Sequence, residues 1–199
     1  MIQTISGTVT AQYESLLTID IGPMGLGVTV PANMQIVIGQ PIALFAYMHW
    51  NQEQGPSIFG FQTELDKTVF LMIISCSGIG PKLAMAILSQ LGGSVFIRAV
   101  EQGDEKLLSS ISGVGAKKAE QLIVQLKHKV AKLIKSGVKF EGAAHISEIH
   151  NVSEVLQSLN YSRREIDVAV DWLRDQHDGS QIPFDTLLRR ALSFLAKKT

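Results

Sequence analysis

The chain has a single cysteine, Cys76, and no lysine or arginine anywhere in its first 63 residues. A lone thiol excludes an internal disulfide and any zinc site built on several thiolates, and it fits a reducing, intracellular setting. No uninterrupted apolar run approaches the roughly 20 residues that a membrane helix needs. The start Met1-Ile2-Gln3-Thr4 also lacks the basic residues of a signal peptide. These absences lead us to expect a cytoplasmic protein with no membrane role.

Net charge is lacking too. Lys and Arg total 18 and so do Asp and Glu, which argues against a polyanionic partner until the distribution is considered. Residues 1–63 carry three acids, Glu14, Asp20 and Glu53, and no base. Residues 64–140 carry eleven bases against six acids, and the last 59 carry seven against nine. Regional charges of −3, +5 and −2 in one neutral chain suggest modules with separate tasks, the middle one suited to polyanions.

What is present has three textures. The first 63 residues alternate apolar and polar positions, as in Leu17-Thr18-Ile19-Asp20-Ile21 and Val28-Thr29-Val30, predicting a small antiparallel barrel or sandwich. Gly22-Pro23-Met24-Gly25 reads as a tight connection, and Gln52-Glu53-Gln54-Gly55-Pro56 as the tip of a second hairpin. From Thr63, which has capping-box spacing to Asp66, the period becomes helical and continues to about Ile134. Residues 140–150, with Gly142 and little periodicity, read as a flexible linker. Asn151 with Glu154, Ser162 with Glu165, and Pro183 then mark the starts of three short helices. About fifty residues make a marginal core, so leftover apolar surface there suits a partner. The expected domains are 1–63, 64–139 and 151–199, joined by that linker.

The middle module repeats itself. An offset of 35 superimposes Gly78 on Gly113, Gly80 on Gly115, Ala84 on Ala119 and Ile87 on Leu122. Each copy runs an apolar helix into glycine-hydrophobic-glycine, Gly78-Ile79-Gly80 or Gly113-Val114-Gly115, and starts a second helix at once. Glycines permit positive φ and close approach, so successive N–H groups at the helix start can converge on one phosphate oxygen. Ile79 and Val114 are expected to turn inward, with Lys82, Lys117 and Lys118 adding charge nearby. Ordinary helix-capping glycines are the alternative, and repetition weakens it. Nucleotide binding fails on context: neither copy completes Gly-x-x-x-x-Gly-Lys-Ser/Thr, and neither follows a predicted strand.

Ser77-Gly78-Ile79-Gly80-Pro81-Lys82-Leu83-Ala84, Ser112-Gly113-Val114-Gly115-Ala116-Lys117-Lys118-Ala119-Glu120 and Ile58-Phe59-Gly60-Phe61 resemble the RuvA family, the Holliday-junction-binding subunits of the RuvAB branch-migration complex. The resemblance spans nearly the whole chain. It implies a multi-domain α+β protein: an N-terminal OB-type barrel, a tandem helix-hairpin-helix domain, a linker and a C-terminal three-helix domain that contacts the RuvB ATPase. It further implies a homotetramer, or an octamer on DNA, that holds a four-way junction open during recombination and repair. A RuvC resolvase is an additional implied partner. Glu53 matches the family's acidic hairpin near the junction centre, although only one acid stands there. Leu156, Leu159 and Tyr161 match its motor-contacting surface, with Asn160 in place of the usual glycine. Gln3 replaces an early basic residue, and Ala116 stands where lysine is common.

Other signals point to no chemistry of their own. His49, His128, His145, His150 and His177 show no metal-ligand spacing, so no metal or cofactor is expected. No Ser-His-Asp set, nucleophile elbow or paired-carboxylate constellation can be assembled from local sequence, so no active site is expected. The competing function is a glycosylase or nuclease that carries the hairpins as a DNA anchor. Lys127, Lys129, Lys132, Lys135 and Lys139 spread around their helix and read as a solvated helix end, and Phe45 and Trp50 as barrel packing.

Overall fold

The computed structural model describes residues 2–53, 55–138, 143–175 and 182–196. Five strands come first: β1 (Thr4–Tyr13), β2 (Leu16–Asp20), β3 (Gly25–Thr29), β4 (Pro41–Asn51) and β5 (Gly55–Phe61). Their alternation has the expected consequence. Ile5, Leu17, Ile19, Val28, Val30, Leu44 and Ala46 point inward and form the core, while Leu16 and Asp20 face out.

The strands close into a barrel in the order β1-β2-β3-β5-β4. This settles the choice between barrel and sandwich, and it corrects the all-antiparallel expectation. β3 pairs with β5 in parallel, Val28 opposite Ile58 and Thr29 opposite Phe59. The long connection after β3 carries the chain across so that β4 can pair with β1, leaving β5 to close the ring. Gly22, at φ 95°, makes the β2–β3 turn, where the Ile21 N–H donates to the Met24 carbonyl.

Four helices follow: α1 (Glu64–Ile74), α2 (Pro81–Gln102), α3 (Glu105–Ser109) and α4 (Ala116–Lys135). Thr63 caps α1 as its spacing to Asp66 predicted, its hydroxyl oxygen accepting from the Asp66 N–H. Helix α2 is long and apolar enough to cross a membrane by length and composition, although Lys82, Gln90, Arg98 and Glu101 interrupt its apolar run. It breaks at Gly92, and Ala84, Ile87, Leu88, Phe96, Ile97 and Val100 bury its apolar content inside the protein. On α1, Phe70 sits 5.1 Å from Phe59 and 5.0 Å from Phe61, ring centre to ring centre. These contacts join barrel and helices into one compact unit, residues 1–131. The boundary expected at residue 63 is therefore one of secondary structure rather than of packing.

The second unit, 132–199, holds α5 (Ala143–Ser158), α6 (Arg163–Asp175) and α7 (Phe184–Ala196). Helix α5 starts eight residues before Asn151, inside the segment expected to be linker. Its inward face is consequently Ile149, Val152 and Leu156, which meet Ala169, Val170, Leu173, Leu187, Ala191 and Leu195. Asn160 takes φ 64° after α5, and the Tyr161 N–H donates to the Leu156 carbonyl in a left-handed C-terminal cap. Asparagine thus fills the role that glycine commonly plays.

Candidate nucleic-acid interface

The 35-residue repeat is a structural one. In the first hairpin the Ile79 N–H donates to the Cys76 carbonyl at 3.2 Å, and in the second the Val114 N–H donates to the Ile111 carbonyl at 2.9 Å. Gly80 accepts from Ala84 N–H and Gly115 from Ala119 N–H. Ile79 and Val114 are buried, as are Ala84 and Ala119. The offset extends beyond the four positions noted from sequence, because Ile73 and Leu108, then Cys76 and Ile111, are buried equivalents.

The two glycines of each hairpin have different reasons to be glycine. Gly78 and Gly113 adopt φ 77° and 88°, a left-handed conformation that side chains disfavour. Gly80 has an ordinary φ of −96°, Gly115 also lies outside the left-handed range, and a Cβ on either would meet open space. Nothing in the fold demands glycine there. Gly80 also caps α2 without a side-chain hydrogen bond, although Ser, Thr, Asp or Asn would satisfy that helix end better. Among the described residues, none accepts from the N–H of Gly78, Gly80, Gly113 or Gly115. Each hairpin thus presents free amides at a helix N-terminus, where the peptide dipoles favour an anion.

Lys82, Lys117 and Lys118 are all exposed beside these turns. Lys118 Nζ donates to the Gly113 carbonyl at 3.2 Å. Its equivalent in the first repeat, Leu83, instead lies against Gly113. Two further residues tie the repeats together. Gln121 Nε2 donates to the Ser77 carbonyl at 3.2 Å, and Lys129 Nζ to Ser75 Oγ at 2.7 Å. Lys129 is therefore engaged with the protein rather than merely solvated, and Lys135 pairs with Glu154 at 3.0 Å. Lys139 lies outside the described residues. Burial pushes the Cys76 thiol up from its ordinary pKa, and the charge of nearby Lys129 offsets part of that rise. No local motif signals either tie, because their partners lie 44 and 54 residues apart.

Glu53 stands exposed at the β4–β5 tip, where its N–H donates to Asn51 Oδ1 at 2.8 Å. Gln54 lies outside the described residues. Trp50 overturns the packing expectation: it is 67% exposed. It pairs with Pro56 where the hairpin outruns the barrel core, whereas Phe45 lower on the strand is half-buried. A groove of about 850 Å³ separates His49, Asn51 and Ser57 on this hairpin from Pro81, Lys82 and Gln90 on α2.

In the second unit Leu156 is completely buried, which removes it from the outer surface expected to meet a motor. Leu159 is 52% exposed, and Tyr161 is half-buried against the core. Among the described residues no three of His, Cys, Asp and Glu gather into a metal-binding group. The side chains of His145, His150 and His177 lie outside the described set.

Residues 70–129 match the family of SAM-like helix-hairpin-helix tandems. Over its whole length the chain is similar to proteins named Holliday junction branch migration complex subunit RuvA. That of Oceanobacillus iheyensis is 35% identical, across 99% of this chain and all of the relative. That of Laribacter hongkongensis is 34% identical over the same shares, and that of Dehalococcoides mccartyi 31% identical with both chains covered completely. With barrel, paired hairpins and terminal helices in the same order as the sequence resemblance implied, the chain belongs to the RuvA family.

Proposed function

We propose that this protein is a non-catalytic subunit that binds four-way DNA junctions by their phosphates and serves a separate ATPase motor of the RuvB kind during branch migration. The observation that carries the reading is the pair Gly80 and Gly115. Each is a glycine with ordinary backbone and open space where a Cβ would stand. An outside group approaching the backbone accounts for both, and the free amides beside them select an anion. Lys82, Lys117 and Lys118 add charge to the same surface. Ile79 and Val114 hold each turn from within.

Four copies of the chain would bring two hairpins each to the junction arms and one Glu53 each to the crossover. The groove between β4–β5 and α2 offers strands a route from the first hairpin to that tip. Leu159 and Tyr161 are the surface we assign to the motor, with Leu156 supporting them from the core.

The test compares a four-way junction with linear duplex of the same sequences over a salt series. Tighter junction binding that weakens steeply with salt is expected, because phosphate contacts release counterions. Equal affinity for the two DNAs at moderate salt would sink the reading. Incubation with Mg²⁺ should leave every strand intact, and cleavage would favour a nuclease instead.

A further inference from the structure

The first hairpin is aimed by a residue of the second repeat. The Ser77 carbonyl accepts from Gln121 Nε2 on α4. A peptide unit is planar and trans, so the carbonyl of Ser77 and the N–H of Gly78 point in opposite directions. Holding the carbonyl toward α4 therefore turns the Gly78 N–H away from α4, to the side where no described residue accepts from it. Glycine at φ 77° has the freedom to rotate that peptide plane if nothing holds it.

The second hairpin is held differently. At the offset of 35 the equivalent of Gln121 is Ala86, which has no donor, but Lys118 grips the Gly113 carbonyl and Leu83 packs against that glycine. A second strut from α4 reaches the turn before the first hairpin. Lys129 Nζ donates to Ser75 Oγ, whose own hydroxyl donates to the Met72 carbonyl at 2.6 Å. The first hairpin is thus held by α4 residues of the other repeat, whereas the second is contacted by Lys118 of its own repeat and by Leu83.

We propose that Gln121 is a positioning residue for phosphate binding. It orients the Ser77–Gly78 peptide so that the first hairpin's amides converge on a phosphate oxygen, and it keeps the two hairpins at a constant separation. The inference rests on the phosphate-binding reading above.

Gln121→Met removes the donor while keeping length and helix propensity. Three readouts on the full chain are needed: junction affinity over a salt series, the thermal midpoint, and the Gly78 amide resonance in a ¹⁵N-labelled sample. We expect affinity to fall about five- to tenfold, in line with weakening rather than abolishing one hydrogen bond to a charged group. The salt slope should stay near that of wild type, because no cation is removed, the Gly78 resonance should move, and the midpoint should shift by no more than about 2 °C. Gln121→Lys, which restores a donor, should bind like wild type. The double variant Gln121→Met with Gln125→Lys places the charge that Gln121→Lys adds at an exposed neighbouring site instead and should stay weak.

Wild-type affinity in Gln121→Met overturns the proposal. So does full recovery in the double variant, which would make added charge rather than a restored donor the source of the Gln121→Lys rescue, or a binding loss matched by a large drop in midpoint, which would make the loss one of packing. If wild type itself fails to bind junctions, the phosphate-binding reading falls; an unmoved Gly78 resonance would separately show that Gln121 does not set the hairpin's orientation.

Discussion

The Gly93 N–H donates to Asp66 Oδ1 at 2.8 Å across 27 residues of chain. Gly92 breaks α2 with φ 68° and ψ 169°, so a new helix start opens there with unpaired N–H groups. Asp66 supplies an acceptor. Its other oxygen accepts from the Thr63 hydroxyl at 2.6 Å, so one carboxylate serves two helix starts. Asp66→Ala should lower stability by about 2 kcal/mol, the usual cost of one or two lost caps. Gly93→Ala should also destabilise, because its Cβ would stand 2.8 Å from Asp66 Oδ1 and 3.4 Å from Val69 Cγ2. Thermal unfolding followed by circular dichroism checks both. A wild-type midpoint in Asp66→Ala would remove the proposed double role.

The two kinds of hairpin glycine should separate stability from binding. Gly78→Ala or Gly113→Ala forces a side chain into left-handed backbone and should cost about 1–2 kcal/mol. Gly80→Ser and Gly115→Ser place a capping residue in open space and should leave stability unchanged or raise it by a few tenths of a kcal/mol. Yet the added hydroxyl occupies the approach to the amides and competes for them. Junction affinity should fall about tenfold for each, roughly the worth of one charge-assisted hydrogen bond. Serine variants that bind as tightly as wild type would show that no outside group approaches that backbone.

Features governed by short spacing were legible in the sequence. Thr63 with Asp66 and Ser162 with Glu165 form the caps that their three-residue spacing implied, and Gly78 and Gly113 occupy the turns that the repeat assigned to them. Features that depend on distant chain were hidden. The parallel β3–β5 pair arises from how the ring closes, not from either strand's pattern. Asn151 resembles a helix start, but the apolar positions Ile149 and Val152 are fixed by packing with α6 and α7, so the helix extends back through them. Trp50 looks like core by residue type and is exposed because its hairpin passes beyond the barrel. In the candidate site the glycines were readable, whereas the reach of Gln121 to Ser77 was not.

Glu165 should give the second unit a pH response. The N–H and hydroxyl of Ser162 both donate to Glu165 Oε2, at 2.8 and 2.6 Å. These bonds favour the charged form and hold the carboxyl below its ordinary pKa. A depressed carboxylate pKa stabilises the fold above the unfolded-state value, and that contribution disappears as pH falls through the folded-state value. Helicity of α6 should therefore weaken on acidification below the ordinary glutamate range. Glu165→Gln keeps an acceptor but cannot titrate, so its acid transition should be flatter. Superimposable acid titrations of the two proteins, followed by residue-resolved amide signals in α6, would contradict the assignment.

Leu156 on α5 and Leu159 just past its C-terminal end lie three residues apart and should fail in opposite ways. Leu156 is completely buried among α5, α6 and α7, so truncation leaves a cavity. Leu156→Ala should cost about 2–5 kcal/mol, enough to unfold so small a core and to abolish motor stimulation by loss of structure. Leu159 is 52% exposed, and Leu159→Ser should change stability by no more than about 0.5 kcal/mol. If Leu159 and Tyr161 form the motor-facing surface, Leu159→Ser should still reduce stimulation of the partner ATPase, because an apolar anchor at an interface is lost without disturbing the module. Junction affinity should remain at the wild-type value, since the hairpins belong to the other unit. The measurement is ATPase rate against concentration of each variant, alongside its melting curve. A folded Leu159→Ser protein that stimulates the motor fully would move the contact surface elsewhere on the three helices.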